Sequence, residues 1–287
     1  MAKFLITGAN GQLGNEIRRI ANIDELNSYI FTDIQDLDIA DLNAICNFVE
    51  INKPDFIINC AAYTAVDKAE DNIALCTKIN CEAVENIANA AKANGAKVIH
   101  VSTDYVYGGN AKKPYLESDK TNPKSVYGIT KLNGEKRLLE ILPNDSVIIR
   151  TSWLYSTYGN NFVKTMIQLG KERESVNVVG DQQGTPTYAR DLAKVIIAIA
   201  EAKEFVAGIF NYSNEGECSW FDFACEIHHY AGIKCNVNAI TTDEYPTKAQ
   251  RPAYSVMDKS KIKRTYGIDI PEWKKSLKDC IELLNID

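Results

Sequence analysis

The sequence predicts an α/β fold, a doubly wound parallel sheet carrying a smaller mixed α/β lobe. Three observations predict it. In the first half, short runs that are apolar on both faces alternate with amphipathic stretches of helical period, which is how a parallel sheet covered by helices reads. A glycine-rich turn follows the first of those runs directly. After about Trp153 the alternation breaks into Tyr-, Gly- and Pro-rich stretches with shorter elements.

The strands expected are 3–7, 29–32, 56–60, 97–102 and 146–150, with helices at 12–21, 42–52, 73–93 and 127–142. Each apolar run is too short for a helix and is bounded by polar or turn residues, so it reads as a buried strand. Farther on, 162–170 and 191–202 read as helices, 176–187 as a loop-like Gly/Gln/Pro stretch, 208–211 as a strand and 271–284 as an amphipathic terminal helix. The expected division places 1–154 and about 188–212 in a dinucleotide-binding unit, and 155–187 and 213–287 in a substrate lobe, with a cleft between them.

Composition narrows the function. The 287 residues are 45% hydrophobic and 24% charged, as in ordinary globular proteins. With 32 basic against 38 acidic side chains the net charge is −6, so no global field draws nucleic acid or an anionic membrane surface. Apolar runs are far shorter than the ~18 residues of a membrane span, and the opening one is too short for a signal peptide. The eight cysteines form no C-x-x-C pair, which suits reduced thiols and a cytoplasmic location. His228 and His229 are adjacent and diverge by about 100° on a helix, so no metal centre is expected.

Gly8-Ala-Asn10-Gly11-Gln12-Leu13-Gly14 follows the first strand and opens a helix. Glycines there let backbone approach a pyrophosphate, whose charge then meets the helix N-terminal amides. This is the Rossmann-type arrangement, and its G-x-x-G-x-x-G spacing points to the short-chain dehydrogenase/reductase superfamily. The second strand ends at Asp33, whose carboxylate suits adenosine ribose hydroxyls and repels a 2′-phosphate. NADH is therefore favoured over NADPH, without excluding dual use. Asp38 and Ile39 are expected beside the adenine, a capping role being the alternative for Asp38.

Tyr127 and Lys131 stand one helical turn apart in Tyr-Gly-Ile-Thr-Lys. A phenol of pKa ~10 needs a nearby cation to act as acid or base near neutrality, and the same ammonium can hold a nicotinamide ribose. The chain has a second such spacing, Tyr230 to Lys234, but Gly232 stops that helix and no strand-end hydroxyl accompanies it. Tyr127 has one: the buried-type strand 98–101 ends in Ser102-Thr103-Asp104, where a hydroxyl can meet a substrate carbonyl and the tyrosine together. Cys60, Ala61, Ala62 and Tyr63 present small residues where a cofactor passes, packing being an equal reading of Ala62. Asn80 is a candidate polar anchor, and Trp153 a candidate cover for a sugar ring or a core residue. Asn161 and Arg251 could meet a diphosphate, Arg by its fork, or be surface residues.

Together these residues resemble the dTDP-4-dehydrorhamnose reductases, within the extended short-chain dehydrogenases. The strings carrying the resemblance are GANGQLG, NCAAYTAVDKAE, STDYVY, YGITK, RTSWLY, GDQQGTPTYARDLA and RPAYSVMD, spread over nearly the whole chain. The resemblance implies reduction of the C4 keto group of dTDP-4-dehydro-6-deoxy-L-mannose to dTDP-L-rhamnose. It implies Tyr127 as proton donor, Lys131 as its tuner and cofactor contact, and Thr103 at the carbonyl. Thr103, Asp104 and Trp153 would contact the sugar, and Gly11, Gln12, Leu13, Asp33, Asp38, Ile39, Ala61, Ala62 and Tyr63 would line the cofactor. Some relatives form a magnesium-bridged dimer through glutamates. Glu16 matches the first of those positions, but Arg190 stands at the second, so no magnesium is expected and a homodimer stays open. Two alternatives remain: a reductase or epimerase of another nucleotide sugar, and a non-catalytic regulatory subunit like the β subunit of methionine adenosyltransferase.

Overall fold

The computed structural model describes residues 1–284. The chain begins with β1 (Lys3–Thr7), α1 (Gln12–Ala21), β2 (Ser28–Thr32), α2 (Leu42–Asn52) and β3 (Phe56–Asn59). Short helices α3 (Val66–Ala69) and α4 (Ile73–Thr77) lead through a π-helical turn, Lys78–Glu82, into α5 (Ala83–Asn94). β4 (Lys97–Thr103), α6 (Val126–Ile141) and β5 (Ser146–Thr151) follow. Next come β6 (Leu154–Tyr155), α7 (Phe162–Glu172), β7 (Ser175–Val179), β8 (Gln183–Gly184) and β9 (Thr187–Tyr188). The last elements are α8 (Ala189–Ala200), β10 (Gly208–Asn211), β11 (Cys218–Ser219), α9 (Trp220–Tyr230), β12 (Asn236–Ile240), α10 (Ser260–Tyr266) and α11 (Trp273–Leu284).

Six strands form one parallel sheet in the order β10-β5-β4-β3-β1-β2. Successive strand residues face opposite sides, so Phe4 and Ile6 of β1 join the core under α1 and α8. Leu5 between them joins the core under α2, α5 and α6. Burial on both faces is what made these runs read as continuous apolar segments. The strand order reverses between β1 and β3, and a crevice opens at such a switch point beyond the carboxyl ends.

The other strands make three two-stranded sheets, β7 with β12, β8 with β11 and β6 with β9. They pack with α7, α9 and α11 around Tyr155, Phe223, Ile227, Trp273 and Leu277. Residues 176–187, expected as loop, contain all but the first residue of β7, all of β8 and the start of β9. In β7 only Val176, Val178 and Val179 are buried, an alternation short enough to be hidden by the glycine and glutamines that follow. The helix expected over 73–93 is interrupted by the π turn. No helix among the described residues is long and apolar enough to cross a membrane, and all eight cysteines are free.

Candidate active site

The glycine turn sits at the switch point because nothing larger fits. Gly8 has φ +65°, and a Cβ on it would stand 2.7 Å from the Ala61 backbone. Gly11 amide donates to Gly8 carbonyl at 3.1 Å, closing the turn that starts α1. Gly14 plays another part: a Cβ there would meet Ala9 at 2.5 Å, so it seats α1 on the turn and is absent from the lining of the two cavities beside it.

Two cavities open on either side of this turn and share Gly8, Gly11, Cys60 and Ala62. The first, about 410 Å³, is lined by Asn10, Asp33, Asp38, Ile39 and Ala61 among others. Asp33 accepts the Asn10 amide at 2.9 Å, so the carboxylate that faces this cavity also shapes the turn. Asp38 accepts the Ala40 amide at 2.9 Å. Tyr63 is held by backbone: Asn80 accepts its amide at 2.8 Å and donates to its carbonyl at 3.1 Å. Asn80 is itself buried, and it reaches Thr130 on α6 at 3.3 Å. A Cβ on Gly134 would stand 2.1 Å from the Asn80 carbonyl, so α6 packs directly against the π turn.

The second cavity, about 570 Å³, gathers Gln12, Leu13, Thr103, Asp104, Tyr127, Lys131, Trp153, Asn161 and Trp220. Thr103 and Asp104 arrive on the end of β4, and Tyr127 and Lys131 on α6, whose first turn is capped by Ser125 accepting the Gly128 amide at 3.1 Å. Thr103 hydroxyl donates to Asp104 Oδ1 at 2.9 Å. Asp104 Oδ2 is buried without a hydrogen-bond partner. Burial pushes Asp104 up to about 6, with the Ser255 and Thr103 hydroxyls holding it back.

Tyr127 faces Thr103 and packs edge-on against Tyr105 with ring centroids 5.5 Å apart. Burial raises its pKa, the Thr103 hydroxyl pulls down and the Asp104 charge adds to the rise. The sequence led us to expect a phenol lowered by Lys131. The difference has a geometric cause: Lys131 Nζ turns away, donating to Val101 carbonyl at 2.7 Å and lying 3.2 Å from His100 Nε2. Burial lowers Lys131 to about 8, while Glu135, Cys76 and Cys60 resist. Burial pushes the Cys60 thiol up to about 12, so it serves as an inert wall.

Beneath the site, Arg150 of β5 grips Glu135 of α6 at 2.6 Å with both side chains buried, and Ser102 donates to the same carboxylate at 2.5 Å. Removing one partner of such a pair costs about 3–5 kcal/mol.

Trp153 adopts φ +47°, strained for a bulky residue, and stacks on Trp220 with centroids 3.6 Å apart. Trp220 was not singled out in the sequence; its only local signal is the Ser219–Asp222 capping box that opens α9. Asn161 caps α7 and donates to Gln12 at 3.0 Å, so it meets the glycine turn. Arg251 lies apart from the second cavity. Its fork holds Asp67 at 2.9 and 2.5 Å, and it lines a separate cavity of about 210 Å³ beyond Tyr105. Tyr230 ends α9 and Gly232 follows at φ +66°, so Lys234 leaves the helix.

Glu16 is buried, accepts Ser156 hydroxyl at 2.6 Å, and shares a depression between α1 and α8 with Arg19 and Arg190. One carboxylate between two guanidiniums does not suit a divalent cation.

A glycine turn at the switch point of a parallel sheet, with tyrosine and lysine one turn apart beside it, defines a Rossmann-fold oxidoreductase of the short-chain dehydrogenase class. Residues 2–286 match the family model described as RmlD substrate binding domain. The chain is 41% identical to the dTDP-4-dehydrorhamnose reductase of Aggregatibacter actinomycetemcomitans, covering 97% of this chain and 98% of that one. It is 47% identical to a crystal structure of such a reductase from Clostridium acetobutylicum, TM-score 0.95, with 99% of each chain covered. A Bacillus anthracis dTDP-4-dehydrorhamnose reductase solved in complex with NADP is 40% identical, TM-score 0.94, covering 98% of this chain and 99% of that one. The chain belongs to the dTDP-4-dehydrorhamnose reductase family.

Proposed function

We propose that this protein reduces the C4 keto group of dTDP-4-dehydro-6-deoxy-L-mannose to give dTDP-L-rhamnose. The observation that carries the reading is the convergence of Thr103, Tyr127 and Lys131 at one end of a cavity whose other end is the glycine turn. A bound reduced nicotinamide supplies hydride. Gly8, Asn10, Gly11, Gln12 and Leu13 hold its pyrophosphate, Asp33, Asp38 and Ile39 its adenosine, and Cys60, Ala61 and Ala62 the wall between. Asn80 acts through Tyr63, whose backbone it clamps.

Thr103 hydroxyl, turning its one hydrogen from Asp104 to the ketone oxygen, holds that oxygen, and Tyr127, which its surroundings keep protonated, gives it its proton. Lys131 as ammonium steadies the phenolate left behind and the nicotinamide ribose. Asp104 takes a sugar hydroxyl, and Trp153, braced by Trp220, offers a flat face to the sugar ring. Asn161 supports the turn through Gln12. Arg251 contributes from across the cleft by fixing the Asp67 segment. The assignment of 1–154 and about 188–212 to the cofactor and of 155–187 and 213–287 to the substrate belongs to the same proposal, as does a cytoplasmic location.

The cavity beside Asp33 and Asp38 has no lysine or arginine in its lining, which supports NADH over NADPH. The experiment is oxidation of each reduced cofactor with freshly made dTDP-4-dehydro-6-deoxy-L-mannose. Turnover to dTDP-rhamnose, faster with NADH, is expected. Cofactor binding without turnover would overturn the substrate assignment, and a strong NADPH preference would overturn the role of Asp33.

A further inference from the structure

Lys131 ends in a chain of hydrogen bonds whose directions are determined. The Ala61 amide can only donate, and it meets Asn59 Oδ1 at 3.1 Å. Thr7 hydroxyl reaches the same oxygen at 2.7 Å. The other end of that amide is therefore the NH2 group, and it donates to His100 Nδ1 at 3.0 Å. A neutral imidazole with Nδ1 accepting carries its one hydrogen on Nε2. That hydrogen faces Lys131 Nζ, 3.2 Å away.

An ammonium has donors only, so it would oppose this N–H. An amine has a lone pair that accepts it, and can still donate to Val101 carbonyl at 2.7 Å. Each contact in the chain then pairs a donor with an acceptor. We infer that Asn59 and His100 are positioning residues acting through Lys131: Asn59 fixes the imidazole tautomer, and the imidazole N–H favours the lysine's free-amine form over its ammonium until a ligand draws it into the cavity.

The surroundings agree. Burial pushes His100 well below the ordinary imidazole value, so the ring stays neutral. Facing Lys131 are Glu135 and Tyr127 of its own helix, Cys60 after β3, Cys76 of α4, and His100 with Val101 carbonyl on β4. Glu135 is the carboxylate among them, and it is engaged by Arg150 and Ser102. Above about pH 8, where the empty site holds the amine, loading thus changes the lysine to ammonium and takes up a proton. The inference rests on the reductase reading in requiring an ammonium in the loaded site.

The test is NADH affinity, by fluorescence, across neutral and alkaline pH. Affinity should be flat below about pH 8 and fall by up to ~tenfold per pH unit above it. Asn59→Asp makes residue 59 an acceptor, moves the imidazole hydrogen to Nδ1 and turns Nε2 into an acceptor for ammonium. The alkaline fall should then begin about one unit higher or more. Repeated in a His100→Phe background, Asn59→Asp should no longer move it. An unmoved onset with His100 present, or an equal shift without it, overturns the relay. In the unaltered protein, NADH binding at alkaline pH should take up protons from a weakly buffered solution; no uptake overturns it too. Turnover of the dTDP-sugar at one pH, run in parallel, separates the readings. Its absence beside pH-linked binding removes the reductase assignment and leaves the relay standing.

Discussion

The two cavities that meet at the glycine turn are built from different material. On the Asp33 side the walls are backbone, alanines, carboxylates and aliphatic side chains, drawn from the segments after β1, β2 and β3 and from the π turn. On the Tyr127 side they are hydroxyls, a phenol, an amine and two indoles, brought from β4, α6, β5 and α9. Asp104 and Lys131 there titrate at about 6 and about 8, far from their ordinary ranges. One side offers main chain for close approach; the other holds groups whose proton affinity its burial has changed. Perturbed groups of this kind mark where chemistry is done.

Removing the phenol should break the contrast most. Tyr127→Phe should lower kcat by ~10²–10⁴, with NADH affinity changed little, as read by steady-state kinetics beside a binding titration. Full turnover would mean that the second cavity is no more reactive than the first.

The next effect is on stability. Asp104 is raised in the folded state from 3.8 to about 6, so the folded protein binds more protons than the unfolded chain between those values. The stability this contributes is full below about pH 4 and is lost as pH rises through about 6. Asp104→Asn should therefore gain up to ~2–3 kcal/mol over the unaltered protein above that range and little below it. Denaturant melts at the two pH values measure the difference, and an equal gain at both would show that the carboxylate is not strained by burial.

The smallest effect belongs to the first cavity. Asp33→Ser removes a charge beside the proposed adenosine position and leaves the backbone turn. The NADH-to-NADPH affinity ratio should move toward NADPH by about tenfold, or ~1.4 kcal/mol. An unchanged ratio would mean that main chain alone sets the preference.

Much of this was legible along the chain. The bounds expected for α1, α2 and β10 coincide with those observed, because an amphipathic helix or a twice-buried strand announces itself within ten residues. The interruption before α5 was not legible: its cause is Asn80 bonding to Tyr63 and packing on Gly134, residues distant in sequence. The Trp153–Trp220 stack and the Arg251–Asp67 fork were hidden for the same reason.

The residue order by itself determined the alternating strands and helices, the glycine turn after β1 and the one-turn spacing of Tyr127 and Lys131, since each depends on neighbours a few positions away. Only the tertiary structure decided that Lys131 points to His100 and that Asp104 is buried with one carboxylate oxygen unpaired. Those outcomes follow from which donors and acceptors three strands and α6 bring together away from water, where a polar group must take whichever partner the fold provides.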